Sequence, residues 1–86
     1  MRFKVSRHAE EEMLRRGIPR AWLELVLDNP EQCIPQAGRK KIFQSRLEDD
    51  NGRIYLLRAV VASDKDPPVV VTVYRTSKIE KYWRPE

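Results

Sequence analysis

The chain predicts an α+β fold, with two N-terminal helices packed on one face of a small antiparallel sheet of three to four strands. Three observations predict it. The first third carries helix caps and apolar residues at helical spacing. The second half consists of runs rich in β-branched and aromatic residues, separated by turn formers. The order helix, helix, strands leaves only short connections, which suit hairpins rather than crossovers. At 86 residues the chain reads as a single domain, 1–86. A chain of this size buries only roughly 60–65% of the surface its unfolded form exposes, so the core is thin.

The elements follow in order. "RFKVS" alternates and reads as a short leading strand or an extended lead-in. Ser6 is a good N-cap for a helix over 6–16, in which Ala9, Met13 and Leu14 form the apolar stripe. Glutamates in its first turns and Arg15 and Arg16 in its last turn complement the helix dipole, and Gly17 stops it. Pro19 suits the first position of a second helix over 19–28, whose apolar face holds Trp22, Leu23, Leu25, Val26 and Leu27. Residues 29–38, with two prolines, read as a connector. "RKKIFQSRLE" is a strand, "DDNG" a hairpin turn and "RIYLLRAVVAS" a central strand covered on both sides. "DKDPP" breaks it, "VVVTVYRT" is the next strand, and "SKIEKYWRPE" is a polar-aromatic segment with a helical turn.

Composition excludes several functional classes. With 41% hydrophobic and 35% charged residues the chain reads as folded rather than disordered. No apolar run reaches the length of a membrane span, and the N-terminal residues lack a signal-peptide stretch, so no membrane is expected and the expected compartment is the cytoplasm. The single cysteine, Cys33, fits that compartment and leaves no partner for an internal disulfide. One histidine and one cysteine cannot build a zinc site, and Glu10, Glu11 and Glu12 point about 100° apart on a helix. No metal and no cofactor are expected.

The net charge is +4, and its distribution is uneven. Residues 1–38 hold six basic and six acidic side chains, whereas 39–86 hold eleven and seven. Two stretches, "GRKKIFQSRL" and "YRTSKIEKYWR", mix basic, apolar and aromatic residues, which suits either a polyanion such as RNA or a solubilising surface.

Strand alternation sorts the candidates by face. Arg58 shares a face with Ile54, Leu56 and Val60. Gln44 and Arg46 lie opposite Phe43 and Leu47, and Thr72 and Tyr74 opposite Val71 and Val73. If the helices cover one side, the other carries Gln44, Arg46, Arg58, Thr72 and Tyr74. An arginine within "IYLLRAVV" is either half of a buried ion pair or a ligand for phosphate or carboxylate. Thr72 and Tyr74 are ordinary strand residues or partners of that arginine. Tyr82 and Trp83 either stack on bases or cap the edge of the core. Ser63 and Ser77 have no base beside them. His8, the only histidine, sits at the start of the first helix with Glu12 one turn on. It is a surface residue or an acid/base group.

"SRHAEEEMLRRGIP" resembles the opening pattern S-x-H-A-x-x-R-M-x-x-R-G-I of the bacterial domain-of-unknown-function family 4258. "LLRAVVAS…PPVVVTVYRT" resembles that family's central strand and T-x-Y strand, and "TVYRTSKIEKYW" is similar to the end of BrnT-type toxins. Both groups are assigned to the superfamily that unites barnase, EndoU, the tRNase colicins and RelE. The resemblance covers about residues 6–84. It implies a RelE/barnase-like domain, with helices against a curved sheet and RNA across the open face. It further implies a metal-independent endoribonuclease of the toxin–antitoxin type, in which the RNA 2′-OH attacks the adjacent phosphate to leave a cyclic phosphate. On that pattern His8 is the acid/base group, Arg58 and Arg46 hold the phosphate, and Thr72 and Tyr74 position it or share the proton transfer. Arg39, Lys40, Lys41 and Arg75 would bind the RNA backbone, and a small antitoxin would be the protein partner. One position departs: the family's arginine four residues after the histidine is Glu12 here, an anion where a cation could bind phosphate. The alternative is a non-catalytic domain of the same fold that binds RNA or a protein.

Overall fold

In a computed structural model that describes residues 2–85, the elements run β1 (Lys4–Val5), α1 (Arg7–Arg16), α2 (Arg20–Asp28), β2 (Gln32–Gln36), β3 (Lys40–Glu48), β4 (Ile54–Ala62), β5 (Val69–Thr76) and α3 (Ile79–Tyr82). The five strands form one sheet in the order β1-β5-β4-β3-β2. The α+β class is as expected, but the sheet has five strands rather than three to four. The added strand is β2, in the proline-bearing stretch read as a connector. It pairs antiparallel with β3, and as an edge strand it tolerates Pro35, whose missing N–H costs no ladder bond on its outer side. The sheet is also mixed, because the two-residue β1 runs parallel to β5.

The helices start and stop where the caps direct. Ser6 takes an extended conformation and its Oγ accepts the Ala9 N–H at 3.1 Å. Gly17 adopts φ +65°, and the N–H of Ile18 reaches back to the Met13 carbonyl at 2.9 Å, closing the helix end. Pro19 is the N-cap of α2 rather than its first helical residue. Asn51 and Gly52 form the tip between β3 and β4, with Gly52 at φ +82°.

Both long helices lie on one face of the sheet. Ala9 and Met13 of α1 and Leu23, Val26 and Leu27 of α2 pack with Leu57, Ala59, Val61, Val70 and Val73, and Phe3, Val5, Trp22, Phe43 and Leu47 close the rim. Leu23 and Leu57 are fully buried, each worth roughly 1.5–3 kcal/mol relative to exposure. A β-bulge between Val60 and Val61 inserts Val71 into β5. Strict alternation would put Val71 beside Val73 in the core; the bulge puts Val70 there instead. The carbonyl of Val71 accepts the Ser6 hydroxyl at 3.2 Å, so one serine caps α1 and ties it to the bulge. Among the described residues no helix is long and apolar enough to cross a membrane.

Candidate functional site

The register settles which side chains share the second face. Gln44 is paired with Arg58, Arg58 with Tyr74, Arg46 with Leu56, and Thr72 with Val60. Side chains directly across a ladder point the same way. The helix side takes Leu57 and Ala59, so Gln44, Arg46, Arg58, Thr72 and Tyr74 project from the opposite side, as the alternation predicts.

This second face is not open. A strap, residues 77–85 with α3 inside it, crosses the half that carries Arg58. The Tyr82 ring lies over the guanidinium, 4.3 Å from ring centre to guanidinium carbon, and meets the Tyr74 ring edge-on at 6.4 Å. Arg58 is only 7% exposed. Its Nε donates to Gln44 Oε1 at 2.8 Å and its Nη1 donates to the Tyr74 hydroxyl at 2.6 Å. The fully buried Gln44 donates in turn to Gln32 Oε1 at 2.7 Å and to the Tyr82 carbonyl at 3.2 Å. Gln32 closes the network by donating to the Arg84 carbonyl at 2.6 Å and accepting the Arg84 N–H at 3.1 Å. No buried side-chain polar atom among the described residues lacks a partner.

The partners of Arg58 are all neutral. Four ion pairs join described residues, and none includes Arg58. Buried charges are ordinarily matched by an opposite charge, because desolvating a lone ion is costly. The expectation of a buried ion pair therefore fails among the described residues. What remains is a desolvated cation oriented by an amide and a phenol, an arrangement suited to an anion.

Arg46 is on the same face but is committed elsewhere. Its Nη2 and Nε donate to the two carboxylate oxygens of Glu31 at 2.8 and 3.2 Å, and its guanidinium stacks 4.2 Å from the Trp83 ring centre. The side-chain hydrogen bonds from Arg46, then its backbone N–H, hold the Glu31 carboxyl below its ordinary range, and the pairing raises Arg46 in turn. Thr72 lies beside the site and makes no side-chain hydrogen bond among the described residues. Arg75 pairs with Leu57 and so faces the helix side, 4.9 Å from the Tyr55 ring. It is across the sheet from Arg58 and does not extend the site.

His8 does not join the site either. It is exposed on α1, and α1 packs on the Leu57 face. His8 and Arg58 therefore stand on opposite sides of the sheet. A groove lined by Glu10, Met13, Leu14, Ile18 and Arg20 marks the flank of α1 that faces α2, and His8 falls on the other flank with Glu12. Glu12 accepts from Arg15 and from Arg16, so its charge is engaged within α1 and directed at neither His8 nor Arg58.

The remaining cationic candidates lie at one end of the sheet. Arg39 ends the turn before β3, and Lys40 and Lys41 begin β3, level with Ala62, Val69 and Lys4 across the ladders. Arg2, Lys4 and Lys65 join them there, against only Asp64 and Asp66, and all eight side chains are exposed. Arg39 has a positive φ of 60°, a conformation few non-glycine residues adopt. Its carbonyl accepts both the backbone N–H and the hydroxyl of Ser63, at 3.2 and 3.1 Å, which fixes the turn that displays these cations.

Sequence reasoning missed Gln32 and Gln44 as organisers. The signal was a pair of amides, one inside the stretch read as a connector and one mid-strand, without a sequence feature that joins them. No curated protein and no solved structure matches this chain. The family described as Domain of unknown function (DUF4258) matches residues 5–75, which hold His8, Gln44, Arg58, Thr72 and Tyr74 and stop short of the strap. With most of its length matched, from before α1 to the penultimate residue of β5, the chain belongs to the DUF4258 family.

Proposed function

We propose that the chain is an RNA-binding domain whose second sheet face receives a backbone phosphate at Arg58, with the basic end of the sheet carrying the flanking backbone. The observation that supports this reading is the buried guanidinium with neutral partners only. A phosphate would supply the missing charge and accept from the nitrogen that Gln44 and Tyr74 leave unengaged. Lys4 and Lys40 project from the same face as Arg58, so a strand leaving the site toward this end meets both. Arg39 and Lys41 sit at the same rim. The test is binding of a short single-stranded RNA at several salt concentrations. Arg58→Ala is expected to weaken binding by roughly tenfold or more, a loss of at least about 1.4 kcal/mol. Lys40→Ala with Lys41→Ala is expected to flatten the salt dependence by about one to two phosphate contacts. Equal binding by Arg58→Ala and the parent chain would sink the reading.

The resemblance to ribonuclease toxins gives a second reading, a metal-independent endoribonuclease held by a small antitoxin. One contact favours it: the Tyr74 hydroxyl, 2.6 Å from Arg58 Nη1, sets a proton-carrying group beside a phosphate-binding one. Because His8 stands across the sheet, Tyr74 is the acid/base candidate on this face. Cleavage of RNA in EDTA, lost in Tyr74→Phe and kept in His8→Ala, is the outcome this reading expects. Cleavage lost in His8→Ala instead would place the chemistry on the flank of α1. Intact RNA under those conditions would leave binding alone.

A further inference from the structure

We infer that residues 77–85 are a removable cover of the Arg58 site, closed in this structure and displaced when a phosphate engages the guanidinium. The inference rests on the RNA-binding reading for its ligand and on three observations for the cover itself. First, the strap occupies the approach to Arg58: the Tyr82 ring lies 4.3 Å from the guanidinium carbon, on the side a phosphate must enter. Second, the strap is held by a few polar and stacking contacts and contributes no buried residue of its own. Within it, α3 is four residues long with no side-chain cap. Its attachments are the Gln44 bond to the Tyr82 carbonyl, the two Gln32 bonds to Arg84, the stacking of Trp83 on Arg46, and the Tyr82 ring against Arg58 and Tyr74. Elements with few buried contacts open at low free energy. Third, the same amide holds both the cation and its cover. Gln44 accepts from Arg58 through its oxygen and holds the strap through its nitrogen, so a shift of Arg58 toward a phosphate disturbs the bond that keeps the strap down.

The cover is tested directly by phenylglyoxal labelling of arginines in the 86-residue chain, read at Arg58 by mass spectrometry. Gln32→Ala with Trp83→Ala loosens the strap without removing any group that touches Arg58. Labelling of Arg58 is expected to be slow in the parent and about tenfold faster in the double variant, as for a site open about a tenth of the time or less. Equal rates overturn the inference. If the double variant fails to fold, Trp83→Ala alone is expected to move the rate in the same direction, and an unchanged rate is again decisive against the cover. A short oligouridylate added to the parent chain is expected to speed amide exchange at residues 82–84. Slower exchange there would mean that the strap closes onto the RNA, and would overturn it too. Loss of RNA binding in the loosened variant would likewise overturn it, by making the strap part of the site. Should the oligouridylate not bind the parent at all, the RNA reading fails. The labelling comparison still judges the cover, with inorganic phosphate as the competing anion.

Discussion

The two faces of one sheet are built on opposite principles. The helix face is mostly apolar: Leu57, Ala59, Val61 and Val73 meet the apolar stripes of α1 and α2, and the one buried polar side chain there, Ser45, is satisfied by the Glu31 N–H at 3.0 Å. The strap face buries Gln32, Gln44 and Arg58, and satisfies them by a chain of hydrogen bonds that ends on backbone atoms of the strap. Burying apolar surface is favourable wherever the shapes fit, so the helix face stabilises the fold on its own. A buried polar network stabilises only when every member is paired, and its charge stays costly without a counterion. Leu56, Ile42 and Ile34 are buried on the strap face as well, so both faces contribute apolar burial, but only the strap face adds a buried cation at some expense to stability.

That contrast can be broken or sharpened by substitution. The largest effect is expected on the helix face: Leu57→Ala should cost about 2–5 kcal/mol by transfer and cavity formation, read from urea unfolding. On the other face, Gln44→Leu conserves bulk but strands Arg58 Nε, and removes partners from Gln32 and from the Tyr82 carbonyl. It should cost about 1–3 kcal/mol. If Gln44→Leu were neutral, the strap face would be an ordinary core and the network incidental. Ser6→Ala removes the cap of α1 and the tie to the bulge together, with an expected loss of about 1 kcal/mol.

The smallest effect is one of pH. Glu31 is held below its ordinary value by Arg46, so the folded state favours its ionised form. Its contribution is present in full above the ordinary glutamate range and is lost as pH falls through the lowered folded value. A stability gap between the parent and Glu31→Gln should therefore be present at neutral pH and close in acid. It should be small, because the pair is solvent-exposed and screened. A gap that widened in acid would contradict the assigned pairing.

Several of these features were legible in the sequence. The caps of α1, the Asn51-Gly52 tip and the alternation that gathers Gln44, Arg46, Arg58, Thr72 and Tyr74 on one face are local signals, carried by residues within a few positions of one another. β2 was not legible, because Pro35 and the polar residues around it fit an edge strand and a connector equally well. The inward shift from Val71 to Val70 was hidden too, since a bulge leaves no mark in a run of valines.

For the site, the sequence by itself determined the types of group available: an arginine inside an apolar strand, a tyrosine in the next strand's alternating pattern, and a basic turn. These follow from residue identity and the period of a strand, which need no partner to be read. Only the tertiary structure decided what each group meets. Arg58 faces Gln44 and Tyr74 rather than a carboxylate, Arg46 is held by Glu31, His8 stands on the far side of the sheet, and the strap lies across Arg58. Those facts depend on contacts between residues far apart in the chain, and such contacts are set by how layers pack, which no local pattern encodes.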